Sequence, residues 1–510
     1  MFNQDNKRIV KNTIFLYIRM FLLFAVSFYA TRVLLNALGA ADYGLYNVVA
    51  GFVAMLGFMN QSMTNSIQRF INFHLGKGDR NGLLKYFKAC VTVQVVLSIF
   101  ILLLIETIGI WFLNQKMNIP HNKMFDANIV FQMSCLCLLV NIIKAPYNAI
   151  IIAKERMNFY AYISVAEAAV KLFITFSIVW IDSFKLSYYA VMLLVLTIVV
   201  FLLTLRYAKR QEPNLKFGLY FQKDIYKEVL SFSGWNLFGT ASGAIKSQGI
   251  NVLMNLFFNT MINAARGIAF QVLSGIQQFV SNFQVAINPQ IIQSYASGDK
   301  DRYLRLTYLS AKLSLYLMWI IALPVMASLD LILNVWLGKT MVPEFTSLFV
   351  YIILYTGLFD ALGSSISVPL YATGNIKCYQ IVSSSIKFLV LPISYILYLK
   401  GFSPAASMYV SLFLAGLEQA SRVIIWGRLV DESPWIYLKT VIVPASIIIG
   451  VSSVTMLAIE SIVASVNSWM AFGINTIGSV LITVLMIYYI GMNKIERTQI
   501  VNVLKSKFQL

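Results

Sequence analysis

Long apolar runs broken by short polar segments occupy nearly the whole chain. A helix needs about 20 mainly apolar residues to cross the hydrocarbon core of a bilayer. Fourteen stretches have that character: 13–38, 44–72, 89–113, 127–152, 161–181, 188–206, 229–258, 264–290, 307–329, 345–370, 380–399, 406–426, 441–460 and 469–491. They are far longer than barrel strands, so an all-α integral membrane protein with about 14 transmembrane helices is expected. Some runs also carry polar residues at steps of three or four, which places them on one helical face. Run 7 has Asn236, Thr240, Gly243, Ser247, Asn251 and Asn255, and run 8 has Gln271, Ser274, Gln278, Ser281 and Asn288. Run 2 has Gln61, Asn65, Gln68 and Asn72, and run 1 contributes Arg19, Ser27, Thr31, Arg32 and Asn36. Polar side chains at lipid depth are costly unless they face protein or water. Two arrangements satisfy them: a hydrated central cavity between two helix bundles, or hydrogen bonding within a dry bundle. Stripes this long on several helices favour the cavity.

Composition agrees with this pattern. Of the 510 residues, 59% are hydrophobic and 12% charged, against about 25% charged in soluble domains. The net charge of +19 would suggest nucleic acid in a soluble protein, but here the positions of the charges set the topology. With the N-terminus inside, the inner segments hold 26 Lys and Arg and the outer loops five, Lys116, Lys123, Lys185, Lys339 and Lys400. Cytoplasmic loops carry such an excess, so both termini are expected to be cytoplasmic. Lys7, Arg8 and Lys11 precede an apolar run continuing to Leu38, which is too long for a signal peptide and reads as an uncleaved first span. Cys90, Cys135, Cys137 and Cys378 make no CxxC pair and His74 and His121 lie far apart, so neither metal nor cofactor is expected.

The chain also repeats. Gly78-Asp79-Arg80 after run 2 matches Gly298-Asp299-Lys300 after run 8, at an offset of 220. The loops after runs 4 and 10 begin at Ala153 and Ala372 and end at Tyr160 and Tyr379, at an offset of 219. A duplicated six-span unit gives two parallel bundles related by an axis along the membrane normal. The expected division is an N-terminal lobe over 1–210, a cytoplasmic linker over 211–228, a C-terminal lobe over 229–430, and two extra spans with a cytoplasmic tail over 431–510.

Charges inside the runs are lopsided. The nine cations are Arg19, Arg32, Arg69, Lys144, Lys171, Lys246, Arg266, Lys387 and Arg422, and the four acids are Glu106, Glu167, Asp360 and Glu418. Glu167 with Lys171 and Glu418 with Arg422 are spaced to neutralise each other along one helix. Arg69 and Lys387 lie near the inner surface and can snorkel, as Arg266 can outward. Lys246, near mid-membrane, is served worst by snorkelling and is the first candidate for substrate binding. Arg32, Arg266 and Arg19 follow, with Asn251 and Gln271 beside them. A surplus of buried cations suits an anion, and phosphate above all. Gly76-Lys77-Gly78-Asp79 is not a P-loop, Gly239 and Gly243 suggest close helix packing, and the outer loops are too short to house an enzyme's chemistry.

The run from Thr31 to Tyr46, with Leu38-Gly39 and Tyr43-Gly44-Leu45-Tyr46 at the turn into run 2, resembles the first hairpin of Wzx-type polysaccharide and O-antigen flippases. These belong to the multidrug/oligosaccharidyl-lipid/polysaccharide (MOP) exporter superfamily. The Gly-Asp-basic loop and the six, six and two arrangement are similar over essentially the whole chain. The resemblance implies a MATE/MOP-like V of two six-helix lobes plus two C-terminal helices, with runs 1, 2, 7 and 8 lining a cationic cavity. It implies translocation of an undecaprenyl-diphosphate-linked oligosaccharide (an O-antigen, capsule or exopolysaccharide unit) across the bacterial cytoplasmic membrane by alternating access. The implied partners are that lipid-linked oligosaccharide, membrane lipids, a coupling ion (proton or sodium) and the polysaccharide assembly machinery, with no nucleic acid. The alternatives are a multidrug antiporter of the same superfamily, which would want an acidic cavity, and a membrane-embedded glycan polymerase or ligase.

Overall fold

The computed structural model describes residues 12–23, 26, 29–30, 33–34, 37–38, 42, 45–46, 49–50, 53, 57–115, 119, 123–215, 222–258, 260–338, 342–463, 468–493 and 497. Helix dominates them, and none of them is in a strand. In chain order the helices are α1 Asn12–Leu23, α2 Gly57–Gly76, α3 Arg80–Gln115, α4 Met124–Ala153, α5 Met157–Trp180 and α6 Lys185–Gln211. They continue with α7 Lys223–Phe257, α8 Thr260–Ala296, α9 Lys300–Ala327, α10 Leu329–Leu337 and α11 Thr346–Thr373. The last four are α12 Lys377–Leu399, α13 Ala406–Val430, α14 Pro434–Ser461 and α15 Ser468–Gly491.

Ten of these are long and apolar enough to cross a membrane: α3 to α6, α9 and α11 to α15. The chain is a multi-pass membrane protein. The other four expected runs fall on α1, α2, α7 and α8. The turns following α1 lie largely outside the described residues. Helices α2, α7 and α8 have 20, 35 and 37 residues, enough at 1.5 Å per residue to reach about 30 Å or more. They miss the apolar standard because they carry the polar stripes. The short helix α10 was not expected from the pattern, which reads it as the end of run 9 and an outer loop.

The chain divides into two compact units, Met1–Thr240 with Val285–Asp299, and Ala241–Gln284 with Lys300–Leu510. In the first, α4 is the most enclosed spanning helix and packs against α2, α3 and α6. Ile101, Phe131, Ile142 and Ala190 form part of its core. In the second, α11 is the most enclosed, packed between α9 and α13. The last two spans join this unit through α9, where Trp319 Nε1 donates to Ser452 Oγ at 2.8 Å and Asn475 Nδ2 to the Ala327 carbonyl at 3.3 Å.

Backbone geometry repeats where the sequence does. After α2, Gly78 has φ +68° and donates to the Leu75 carbonyl, while Asp79 donates to the His74 carbonyl. After α8, Gly298 has φ +79° and donates to Tyr295, while Asp299 donates to Ser294. Each partner is displaced by 220. This is a Schellman-type helix end, which needs a left-handed residue and favours glycine. After α4 and α11 the left-handed residues are Glu155 (φ 54°) and Gly374 (φ 78°), donating to the carbonyls of Ile152 and Tyr371, displaced by 219. The loop ends are thus alike at both places where the sequence repeats. Asp79 then caps α3 by accepting from Gly82 N at 2.8 Å.

Candidate functional site

Arg69 and Glu212 organise one end of the first unit. Arg69 meets Glu228 at 3.2 Å and lies over the rings of Phe70, Phe73 and Phe232. Glu228 also accepts from Tyr86. Instead of snorkelling into water, the buried Arg69 thus pairs with a half-exposed Glu228. Glu212, just past α6, accepts from Arg80 Nε at 2.9 Å and Lys154 Nζ at 2.9 Å, joining the loops that follow α2, α4 and α6. Burial raises the pKa of Glu212, but the hydrogen bonds from Lys154 and Arg80 outweigh it and hold the carboxyl below its ordinary value.

The polar stripes divide into dry and accessible parts. Asn236 on α7 is fully buried and donates to the Ser62 carbonyl at 2.8 Å. Gln293 Nε2 donates to Asn72 Oδ1 at 3.1 Å and to the Ala153 carbonyl at 2.9 Å. Those positions satisfy the dry reading. On α8, by contrast, Gln271, Ser274, Gln278 and Ser281 are all exposed, while Leu273, Ile276, Val280 and Phe283 on the other faces are buried. Among the described residues Ser274 and Ser281 bond only back to their own helix, at 2.9 and 3.1 Å. Lipid could not satisfy such a row of amides and hydroxyls, so this face of the second unit belongs against water or a polar ligand. Gly243 has open space around it rather than a close neighbour, so it does not mark helix packing; Gly249, against Leu391, does.

Five charged residues from four helices gather in the second unit. Glu418 and Arg422 pair along α13 as their spacing predicts. Lys387 on α12 joins them at 3.4 Å from Glu418 instead of snorkelling to the inner surface. Ser383 donates to the same carboxylate at 2.5 Å. Gly363 of α11 gives Arg422 its room, because a Cβ there would overlap the guanidinium. Lys246 on α7 and Asp360 on α11 lie within range of these charges, but among the described residues neither makes a direct ion pair with them. In the first unit Lys171 is exposed, and among the described residues neither it nor Lys144 forms a direct ion pair with Glu167.

Arg266 is set differently. It is 3% exposed, donates to Asn251 Oδ1 and lies 4.4 Å over the Phe270 ring. Among the described residues no carboxylate pairs with it, and its buried Nε has no hydrogen-bond partner. Its expected outward snorkelling is therefore replaced by burial beside Asn251. Arg19, in the first unit, lies 4.7 Å over the Tyr160 ring and also has a buried, unbonded Nε. Arg32 is outside the described residues. Of the candidates, the structure joins Arg266 to Asn251, places Gln271 on the exposed stripe of α8, and gives Lys246 no direct ion pair among the described residues.

No family model and no curated protein sequence matches the chain. Solved structures do. A MATE transporter in complex with MaD3S superposes with a TM-score of 0.70 over 84% of this chain and 97% of its own, at 12% identity. An outward-facing multidrug resistance MATE transporter of the MOP superfamily gives 0.70 over 83% and 96%, at 12% identity. The fold is that of the MOP-superfamily transporters. A MOP transporter from Pyrococcus furiosus, described as having a binding pocket of reversed polarity, gives 0.64 over 84% and 97%, at 12% identity. These neighbours are transporters rather than enzymes, and at such identities they speak for the MATE/MOP fold alone.

Proposed function

We propose that the chain is a flippase for an anionic, lipid-linked glycan. It moves an undecaprenyl-diphosphate-linked oligosaccharide from the inner to the outer leaflet of the bacterial cytoplasmic membrane by alternating access of two six-helix lobes, with both termini cytoplasmic. The observation that carries this reading is Arg266, a guanidinium buried at 3% exposure with no carboxylate partner among the described residues. A buried charge is normally paired. Cationic drugs would be repelled by such a group, and a diphosphate would pair with it through strong charge-assisted bonds. Asn251 orients the guanidinium, Gln271 lies on the accessible face, and Lys246, Arg19 and Arg32 supply further cations. On the orientation read from the loop charges, Arg266 stands near the outer ends of α7 and α8, where the diphosphate arrives at the end of its passage. A proton or sodium ion couples the cycle.

The test is complementation of flippase-deleted strains that make different surface glycans, with protein level in the membrane checked in parallel. Restored glycan export by wild type, lost in Arg266→Ala and partly kept in Arg266→Lys, is expected. Failure to restore export in any strain, together with raised resistance to cationic drugs, would favour a multidrug antiporter instead.

A further inference from the structure

Past Arg266, helix α8 presents an accessible row of polar groups with no charge in it. From Gln271 to Ser281, within the second unit, the exposed positions are Gln271, Ser274, Gln278 and Ser281, and no large apolar side chain is exposed between them. Their order is a repeat. Gln-x-x-Ser occurs twice, seven residues apart, which keeps both copies on nearly one face and separates them by about 10.5 Å along the axis. The copies are built alike. Ser274 Oγ donates to the Gln271 carbonyl at 2.9 Å, and Ser281 Oγ donates to the Gln278 carbonyl at 3.1 Å. Each hydroxyl hydrogen is thereby turned back into the helix, and its oxygen is left to accept. Among the described residues the Gln271 and Gln278 side-chain amides make no hydrogen bond. An added Cβ at Gly275, between the two copies, would meet nothing within 4 Å, so there is open room beside the row.

A wall that only touches water has no need of one chemistry twice at one spacing. The row offers amide donors, amide acceptors and hydroxyl oxygens at two places. A phosphate finds no cation in it, and an organic cation finds no carboxylate. Sugar hydroxyls, each both donor and acceptor, match an amide beside a hydroxyl oxygen. The spacing of about 10.5 Å is longer than one pyranose ring, so the two copies meet different sugars of a chain. Arg266 precedes Gln271 by five residues, about 7.5 Å along the axis. A lipid-linked glycan held there by its diphosphate brings its first sugar to Gln271 and Ser274, and a later one to Gln278 and Ser281.

We infer that the two Gln-x-x-Ser copies of α8 form a sugar track, in which Gln278 and Ser281 take a sugar beyond the one adjoining the diphosphate and so favour an oligosaccharide over a single sugar. The inference rests on the flippase reading and names the residues that read the length of its glycan.

The test uses the full-length protein in nanodiscs and three lipid probes. These are undecaprenyl diphosphate, the same lipid bearing one sugar, and the complete lipid-linked unit extracted from the flippase-deleted strain that the chain complements. Wild type should bind the complete unit more tightly than the one-sugar lipid by roughly tenfold, as two added hydrogen bonds would. The double variant Gln278→Ala/Ser281→Ala should abolish that difference and change affinity for the other two probes less than twofold, while Arg266→Ala weakens binding of all three. Gly275→Leu removes no polar group and gains helix propensity. It fills the open room beside the row, so it should weaken the complete unit and leave the bare lipid unchanged. Equal affinity of wild type for the complete and one-sugar lipids overturns the track and leaves the flippase standing. So does a double variant that keeps the difference or loses the bare lipid, or a Gly275→Leu protein that binds the complete unit as wild type does. Failure of wild type to bind any of the three lipids overturns both.

Discussion

Gly363→Ala is a small change that the structure expects to be costly. A Cβ at Gly363 would overlap the Arg422 guanidinium, whose side chain is 11% exposed and paired with Glu418, itself 7% exposed. Arg422 would have to withdraw. Breaking a buried ion pair from one side costs about 3–5 kcal/mol when the remaining charge is left alone. Glu418 would keep Lys387 at 3.4 Å and Ser383 at 2.5 Å, so it is not left alone and the loss falls below that range, at about 2–3 kcal/mol. Alanine returns up to about 1 kcal/mol through helix propensity. The net is a destabilisation of about 1–2 kcal/mol, equivalent to a fall in Tm of about 2–8 °C for a unit of this size. Gly243→Ala, on another helix of the same unit and with open space around it, collects the propensity gain alone and should not lower Tm. Thermal stability of detergent-solubilised fluorescent fusions, read by size-exclusion chromatography, measures all three proteins. The double variant Gly363→Ala/Arg422→Ala should be no less stable than Arg422→Ala, because neighbouring effects sharing one cause do not add. A Gly363→Ala protein as stable as Gly243→Ala, or strict additivity in the double variant, would refute the reasoning.

Glu212→Gln should lower stability at pH 7 by about 1 kcal/mol, discounted because Arg80 is 60% exposed and screened by water. The folded-state pKa of Glu212 is depressed, so its contribution is present above the unfolded value of about 4.3 and is lost as pH falls through the folded one; a pH series of Tm should show that acid-side loss in wild type and a flatter curve in the variant. Gly298→Ala should cost about 1–2 kcal/mol, because Gly298 has φ +79° and open space around it, so that backbone strain alone acts; an unchanged Tm would contradict this. Both termini should lie in the cytoplasm, and an active C-terminal alkaline phosphatase fusion would reverse that orientation.

Apolar periodicity made the spanning helices readable, because a helix facing lipid on one side must be apolar over its full length. It could not reveal α10, nine residues followed by Gly338 at φ +89°, because about two and a half turns are too few to set a distinctive period. Spacing recovered Glu418 and Arg422, which sit four apart and pair along one helix. Spacing along one helix could not show Lys387 beside Glu418, because the two come from different helices. Polar stripes announced where water or buried contacts must be, but not which of the two holds at a given position. Asn236 is dry and Gln271 exposed, and the sequence period is the same for each.

The surplus of cations at lipid depth looks uniform in the sequence, and the structure sorts it by what lies across from each one. Arg69 is committed to Glu228, and Arg422 and Lys387 to Glu418. Arg19 rests on the Tyr160 ring. A cation already bonded to a carboxylate gains little from an arriving phosphate, because the phosphate must displace a partner of like charge. The affinity available for a substrate therefore concentrates where the commitment is incomplete. In the second unit that means Arg266, which is bonded to a neutral amide and, among the described residues, to no carboxylate. An anion arriving there would displace no partner of like charge, and an organic cation would meet repulsion that nothing nearby offsets.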